Sequence, residues 1–204
     1  MKIRDLHDWN VSSSEAVRLQ QNIRKKILLR DRKELQDIRI VAGADISYAR
    51  GSDLFYAAVI LLSYPEMKVL SHTWNRSRVR FPYIPGLLSF REGPPLLAAF
   101  VKLAATPDVI FFDGQGIAHP RGVGLASHLG LWLDTPSIGC AKTRLVGAHE
   151  AVGEEAGDSS PLAVEGRVVG AALRTKVSVK PIYVSPGHRV SLETAVALSF
   201  ACCR

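Results

Sequence analysis

The chain has 204 residues, of which 47% are hydrophobic and 22% are charged, a composition typical of a folded domain and unlike that of a disordered chain. Its 26 Lys and Arg residues against 19 Asp and Glu residues leave a formal charge of +7. This surplus favours a polyanionic partner, because binding releases the counterions condensed on phosphates, but charge alone does not establish such a partner.

The N-terminal segment and the cysteines exclude several classes of protein. The first eight residues carry charges without a following apolar run, so no signal peptide is predicted, and no apolar stretch is long enough to span a bilayer. Cys140, Cys202 and Cys203 form neither an even set nor a CxxC pair, which indicates neither a disulfide framework nor a zinc site. We therefore expect a cytoplasmic protein without membrane contact.

The first predicted elements are an amphipathic helix and three strands. A capping pattern at 12–15 precedes apolar residues at helical spacing up to Leu28, and the basic residues beside them form either a solvated face or a site of phosphate contact. The strands are predicted at 38–48, 54–63 and 67–74. Their short connections predict an antiparallel meander.

The second half of the chain alternates between predicted helices and strands. A mobile surface loop is expected at 147–161, where Gly, Ser, Ala and acidic residues are concentrated. The resulting mixed sheet with flanking helices predicts a single α/β domain over 1–204 with a ribonuclease H-like fold, although periodicity alone does not exclude other α/β sheets. The predicted elements are a helix at 96–105 with Pro94 and Pro95 near its first turn, a strand at 109–112, a helix at 123–133, strands at 137–141, 167–175 and 180–185, and a helix at 192–201.

Three acidic residues are candidates for a metal site. Asp45 interrupts an apolar strand and Asp113 ends another, where an ionised carboxylate is costly unless it is paired or binds a cation. Either one alone is equally explained as the cap of a turn or a local ion pair. Glu92 stands between these strands near a helix start, and three converging carboxylates would suit Mg²⁺ or Mn²⁺, which can activate water for attack on a phosphate. Lys142 follows the strand at 137–141 and is either solvated or placed to stabilise developing negative charge.

Two loops carry further signals. The segment 113–124 holds four glycines between a strand and a helix, which lets its backbone approach a ligand, but it matches neither the dinucleotide fingerprint nor the Walker spacing. Its His119 either assists a water or metal or only makes hydrogen bonds. The segment 81–90 is stiffened by two prolines, and it is either a packed turn or a wedge that enters a nucleic-acid duplex.

Four segments together resemble the endonuclease V family: VAGADISY at 41–48, PYIPGLLSFRE at 82–92, DGQGIAHPR at 113–121 and GCAKTRL at 139–145. The resemblance runs in order from about Glu15 to Ala201. It implies a ribonuclease H-like fold and a DNA repair endonuclease that recognises deoxyinosine. Such an enzyme cuts the second phosphodiester bond 3′ to the lesion and leaves 3′-hydroxyl and 5′-phosphate ends, with Mg²⁺ as cofactor and Mn²⁺ as a substitute.

The resemblance also implies roles for individual residues. Asp45, Asp113 and Glu92 would be the metal ligands, and Lys142 and His119 would assist catalysis. The remaining matched positions would bind the substrate, as a strand-separating wedge or as a hypoxanthine pocket whose glycine amides read the base. The wedge comprises Pro82, Tyr83, Ile84 and Pro85, and the pocket comprises Leu88, Gly114, Gly116, Gly124 and Leu145.

Some alternatives stay open. The basic C-terminal tail with a Pro-Glu-Pro-Thr-Arg stretch, usual in the family, is missing after Ala201, which affects the expected nucleic-acid affinity more than the chemistry. The substrate is DNA with deoxyinosine or, alternatively, inosine-containing RNA cut at the same site. The complete set of carboxylates and Lys142 argue against a catalytically silent nucleic-acid-binding protein, and the lack of a nucleotide fingerprint argues against a small-molecule phosphate enzyme. We expect a monomer.

Overall fold

Three antiparallel strands open a mixed sheet of eight strands, and the structure, a computed structural model, describes residues 1–203 of the chain. A capping box at Ser12 and Glu15 starts the first helix. Four α-helices and one short 3-10 turn (Leu35–Asp37) accompany the sheet. The elements are α1 (Ser13–Arg24), β1 (Ile40–Ser47), β2 (Leu54–Ser63), β3 (Val69–Arg78), α2 (Leu88–Phe100), β4 (Val109–Phe112), α3 (Leu125–Leu133), β5 (Ser137–Ala141), β6 (Ser159–Val164), β7 (Arg167–Leu173), β8 (Ile182–His188) and α4 (Leu192–Ala201).

The strand order is β3-β2-β1-β4-β5-β8-β7-β6, with β1, β4 and β5 parallel at the centre and every other pair antiparallel. In the parallel part, Ala44 is opposite Phe112, and Phe112 is opposite Gly139. The carboxyl ends of these three strands therefore meet at one edge of the sheet. The mixed α/β architecture predicted from the sequence is confirmed.

The two faces of the sheet are covered unequally. Helices α2 and α3 pack on one face, where Ala42, Ala44 and Val59 join the larger apolar cluster. Helix α4 packs on the other face against β7 and β8. Successive side chains of β2 and β3 point to opposite faces of the sheet. Near Asp45, those that point to the same face as α4 are exposed. We call this uncovered part of β1, β2 and β3 the open face. No helix among residues 1–203 is long and apolar enough to cross a membrane.

The predicted position of the second helix is wrong. The helix begins at Leu88, eight residues before the predicted start, and Pro94 and Pro95 lie in its interior rather than near its first turn. The turn before it is closed by the Leu87 amide, which donates to Ile84 O (2.9 Å). The early helical residues include Ser, Arg and Gly, which carry no apolar periodicity, so the sequence pattern showed only the later turns.

The predicted loop at 147–161 is also partly wrong, because its last residues begin the strand β6. This strand pairs with β7 from Ser159↔Leu173 onward, and a bridge joins Ala148 to Ala163. Pro161 hid the strand in the sequence. A proline is tolerated there because β6 is an edge strand, on which an amide is not needed on the outer side.

We predict that Gly139→Ala destabilises the fold by about 1–3 kcal/mol, because overpacking forces the backbone to shift. A Cβ atom at Gly139 would lie 2.4 Å from Gly116 N and 2.5 Å from Gly114 O. Gly43→Ala is the matched control within a strand, since its Cβ would meet only Ile60 Cγ2 at 3.4 Å. Denaturant unfolding measures both, and equal stability of the two variants would contradict the close approach of the loop to β5.

Candidate active site

Two carboxylates lie side by side at the ends of neighbouring parallel strands. The pairing of Ala44 with Phe112 places Asp45 beside Asp113, and the Asp113 amide lies 3.5 Å from Ala44 O. Residues opposite each other in a parallel pair point to the same side of the sheet, here the open face. The Asp45 carboxylate accepts a hydrogen bond from the Ile46 amide (2.7 Å). The sequence-predicted meeting of these two acids at one sheet edge is found in the structure.

Glu92 joins this pair from helix α2. Burial raises the pKa of Glu92 to about 7, and the negative charges of Asp45 and Asp113 add to the increase, against the opposing effect of Arg91. Repulsion of this kind weakens with distance, so Glu92 lies within electrostatic reach of Asp45 and Asp113. We call these three residues the acidic cluster.

Lys142 follows β5, and its ammonium group contacts one of the three acids, Asp113. Its Nζ donates to Asp113 Oδ2 at 2.6 Å, although the lysine side chain is 80% exposed. This hydrogen bond, with the charge of Asp113, raises the pKa of Lys142. The ammonium group therefore neutralises part of the acidic cluster.

The donor set fits a hard divalent cation. Within residues 1–203, no three His, Cys, Asp or Glu side chains converge closely enough to hold an ion. Yet the three acids offer carboxylate oxygens, the ligands that Mg²⁺ prefers, and burial together with the charges of Asp45 and Asp113 raises the pKa of Glu92, an effect that a cation would offset. Asp45, Glu92 and Asp113 are thus chemically suited to the predicted site, and their role as ligands stays a prediction.

A small cavity of about 120 Å³ lies beside the carboxylates. It is found between the N-terminus of α2 and residues 113–124, which we call the glycine loop. It is smaller than the pockets that hold drug-sized ligands, which suits a single ring system. Seven of the predicted site residues line it: Tyr83, Ile84, Pro85, Leu88, His119, Gly124 and Leu145. The loop that follows Asp113 and the segment that follows Lys142 both reach this cavity, so it and the acidic cluster are neighbours.

Three predicted substrate-binding residues lie outside that cavity wall. Pro82 lines a different groove, and Gly114 packs against Leu125. A Cβ atom at Gly116 would lie 2.2 Å from Pro186 O, so the close packing of these two backbone segments requires glycine at this position. The Gly116 amide donates to Ser185 Oγ (2.8 Å) and the Gly124 amide to Gly116 O (2.9 Å). Neither amide is available to read a base as the sequence predicted, because each already has an acceptor within the protein.

His119 is not brought to the carboxylates. Its Nδ1 accepts from the amides of Arg121 (3.1 Å) and Val123 (3.4 Å), so Nε2 carries the hydrogen and donates to Gly86 O (3.0 Å). Burial and the charge of Arg121 lower the pKa of His119 to about 4. The imidazole is therefore neutral at pH 7 and holds the cavity wall in place, which agrees with the hydrogen-bonding alternative, and its role in catalysis stays a prediction.

Two further residues that the sequence did not single out hold the same wall. Gln20 on α1 is fully buried, and its Nε2 donates to Gly86 O and Val123 O (both 3.0 Å). Arg121 donates to Gly86 O and to Gln20 Oε1 (both 2.5 Å). The signal for Gln20 was a single polar residue on the apolar side of an amphipathic helix.

The turn at 82–85 is anchored at its base and exposed at its tip. Arg91 Nη1 donates to Phe81 O (2.8 Å), and the guanidinium lies 4.8 Å from the centre of the Phe55 ring. Tyr83 at the tip is 65% exposed. A rigid turn with an exposed aromatic ring is suited to insertion between bases, although its role as a wedge stays a prediction.

A buried hydrogen-bond chain, also missed in the sequence, ends at Ser89 in the cavity wall. His7 Nδ1 lies 2.8 Å from Asp8 O, which can only accept, so the hydrogen of neutral His7 is on Nδ1. His7 Nε2 must then accept from His128 Nε2 (2.7 Å). His128 Nδ1 is left to accept from the Ser89 hydroxyl (2.8 Å).

Burial keeps both imidazoles of this chain neutral. It lowers the pKa of His7, and it lowers that of His128 well below the usual range. Because the Ser89 hydrogen points to His128, Ser89 Oγ can only accept from a molecule in the cavity. Gln115 adds a second acceptor: its Nε2 donates to Thr143 O (3.0 Å), and its buried Oε1 has no partner within residues 1–203.

Comparison with known proteins shows the family to which this chain is similar. The family model of endonuclease V matches residues 21–204. A protein of Dehalococcoides mccartyi named endonuclease V is 46% identical over 204 residues, which cover 100% of this chain and 91% of that protein. The crystal structure of endonuclease V from Bacillus subtilis has a TM-score of 0.94 at 30% identity and covers 100% of this chain and 89% of its own.

A third relative is solved with nucleic acid. Endonuclease V of Ciona intestinalis, in complex with a 24mer DNA containing an inosine followed by a ribo-adenosine, has a TM-score of 0.80 at 30% identity. The match covers 93% of this chain and 88% of that one. These similarities confirm the ribonuclease H-like fold and the family resemblance predicted from the sequence.

We predict that Glu92→Gln stabilises the metal-free protein at pH 8 and has little effect at pH 4.5. The pKa of Glu92 is higher in the folded protein, about 7, than its ordinary value of 4.5, so stability is lost as pH rises between these values. The shift corresponds to a loss of up to about 3 kcal/mol, which an uncharged amide avoids. Thermal unfolding in EDTA at both pH values measures it. A variant less stable than wild type at pH 8 would contradict the repulsion among the three acids.

Proposed function

This chain belongs to the endonuclease V family and is a nuclease, and we propose that it is a metal-dependent endonuclease that recognises deoxyinosine in DNA. In this proposal it hydrolyses the second phosphodiester bond 3′ to the lesion and leaves 3′-hydroxyl and 5′-phosphate ends. Mg²⁺ is the proposed cofactor, and Mn²⁺ is its proposed substitute. The enzyme acts as a monomer, and the nick starts repair of deaminated adenine.

The observation that carries this proposal is the closeness of a base-sized cavity to a carboxylate cluster. Asp113 belongs to the cluster, and Gln115, two residues along, lines the cavity. Lys142 and Leu145 make the same connection on the neighbouring segment. An enzyme built in this way can hold a displaced base in one place and cut the backbone at a short, fixed distance from it.

The acidic cluster supports phosphodiester hydrolysis. Asp45, Asp113 and Glu92 would hold Mg²⁺, which when bound polarises the phosphate and lowers the pKa of water. Burial and the neighbouring acids raise the pKa of Glu92 in the metal-free protein, and a bound cation would favour its ionised form. The exposed Lys142 ammonium, beside Asp113, is placed to stabilise negative charge on the leaving oxygen.

The acceptors of the cavity support recognition of a deaminated base. Hypoxanthine carries a hydrogen on N1, whereas adenine has a lone pair there. Ser89 Oγ, whose own hydrogen is directed to His128, can accept from an N1–H group but cannot donate to a lone pair. Gln115 Oε1 is an alternative acceptor for the same N1–H group. A buried acceptor facing a lone pair is costly, so this cavity favours the deaminated base over adenine.

The turn at 82–85 supports displacement of the base. The base must leave the helical stack to enter the cavity, and unstacking costs a few kcal/mol. The exposed Tyr83 ring with Ile84 and Pro85 forms one rim of the cavity and can fill the space that the base leaves. His119, Gln20 and Arg121 keep this rim in position through their shared acceptor, Gly86 O.

Inosine-containing RNA is the second candidate substrate. The DNA bound by the Ciona relative carries a ribo-adenosine directly after the inosine, which favours tolerance of a ribose near the cut. The cavity reads only the base and the same acids would serve either backbone. Matched DNA and RNA strands with one inosine each, assayed in parallel, separate the two substrates.

We predict that the purified protein nicks a deoxyinosine duplex in Mg²⁺ and leaves the matching adenine duplex intact. Asp45→Asn and Asp113→Asn should reduce the rate at least about 10³-fold, because each removes a negative ligand from the metal. A denaturing gel of end-labelled strands measures the rate. The proposal fails if folded wild-type protein leaves deoxyinosine DNA and RNA uncut in both Mg²⁺ and Mn²⁺.

We also predict that Ser89→Ala lowers kcat/KM on deoxyinosine about 10-fold to 100-fold, because the buried N1–H of the base loses its acceptor, a cost of about 1–3 kcal/mol. Ser127→Ala is the matched control, since Ser127 is a buried serine whose Oγ has no partner within residues 1–203. Steady-state nicking rates compare the two variants. Full activity of Ser89→Ala would exclude Ser89 as the acceptor that reads the base.

A further inference from the structure

The open face of the sheet places an exposed aromatic ring in line with the carboxylate cluster. Asp45 is opposite Ala58 on β2, and Ala58 is opposite Trp74 on β3. Directly opposed residues point to the same side, so all three lie in one row on the open face. With strands about 4.8 Å apart, the Trp74 backbone lies roughly 10 Å from that of Asp45. The small Ala58 side chain leaves the space between them open.

Trp74 differs from the other tryptophans of the chain. Its side chain is 62% exposed, whereas Trp132 is 6% exposed and packs against Trp9 with a ring distance of 4.9 Å. Exposure of a large apolar ring is costly in water unless a ligand covers it. The fold does not need this ring, since it lies outside the apolar clusters that bind the helices to the sheet.

Positive charge accompanies the ring. In the next row, Tyr56 is 47% exposed and is opposite Arg76, whose side chain makes no hydrogen bond or ion pair within residues 1–203. On the outer edge, Lys102 Nζ lies 5.9 Å from the centre of the Trp74 ring and is fixed by Trp74 O (2.8 Å). Aromatic rings interleaved with basic groups suit a nucleic-acid strand, because bases stack on the rings and phosphates lie beside the cations.

A groove of about 660 Å³ connects this surface with the acidic cluster. Asp45, Asp113 and Lys142 line one end of it, and His72 and Trp74 line the other. A strand whose phosphate lies at the carboxylates can therefore continue along the groove without crossing a barrier. This continuity, together with the positive charge, favours nucleic acid over a protein as the occupant.

We propose that Tyr56, Trp74 and Arg76, together called the β3 platform, bind unpaired nucleic acid leading away from the scissile phosphate. An unpaired base stacks on the Trp74 indole, and the Arg76 guanidinium lies beside the adjoining phosphate. The site is separate from the base cavity, which lies between α2 and the glycine loop. It rests on the proposed function in one respect, namely that the scissile phosphate lies at Asp45 and Asp113.

Cleavage of three deoxyinosine strands of different length tests the platform. The first extends about 10 nucleotides beyond the cut on both sides. The second is truncated close to the cut on its 5′ side, and the third on its 3′ side. Trp74→Ala should shrink the kcat/KM advantage of the extended strand over one of the truncated strands about tenfold, as expected for loss of base stacking. Trp74→Phe should keep part of that advantage. Val168→Ala, an exposed apolar residue on β7, should keep all of it.

A binding measurement separates failure of the platform from failure of the proposed function. Oligo-dT of 20 nucleotides, added to the full-length protein without a divalent cation, should quench the fluorescence of exposed Trp74, and Trp74→Phe should lose that quenching. Quenching without any cleavage would refute the proposed function but support the platform. Unchanged quenching in Trp74→Phe, or an unchanged extended-strand advantage in Trp74→Ala, would overturn the platform, and absence of quenching would favour a protein occupant.

Discussion

The parallel pairing of β1, β4 and β5 is the constraint on which the site depends. Because three parallel strands end at the same edge, residues far apart in the chain, Asp45, Asp113 and Lys142, meet there without any local sequence relation. The pairing itself needs close backbone approach: the loop after β4 lies directly on Gly139 of β5 and on Pro186 of β8. The packing that holds this edge together therefore also sets the distance from the acids to the cavity.

Charge and polarity divide this edge into two parts with different chemistry. Burial raises the pKa of Glu92, the negative charges of Asp45 and Asp113 raise it further, and a bound cation would counter this increase. The cavity beside the acidic cluster has neutral walls, since burial keeps His119 and His128 uncharged. The Ser89 hydroxyl is directed to His128 in these surroundings, so the proposed reading of the base depends on Ser89 Oγ as an acceptor. In the proposed function, the acidic cluster carries out the reaction and the cavity discriminates between bases.

The sequence predicted most of the sheet but not what lies behind the site. Strands β2, β4 and β5 match their predicted ranges because apolar runs bounded by turns define them well. The start of α2 was missed because helix formation there depends on tertiary packing, such as Trp9 against Gly93, rather than on periodicity. Ser89, His128 and Gln20 were missed for a related reason. The role of an isolated polar residue in an apolar stretch depends on its hydrogen-bond partners on other elements, and the sequence does not show these.

In the proposed function, the base is read in the cavity and the backbone is cut at the carboxylates, a fixed distance away. The most direct measurement moves a single deoxyinosine along a strand of otherwise constant sequence and maps the nick at nucleotide resolution in Mg²⁺. We expect a nick that moves with the lesion and always falls at the second phosphodiester bond on its 3′ side. A nick whose distance from the lesion varies, or one that stays at the same sequence position, would contradict the proposed function.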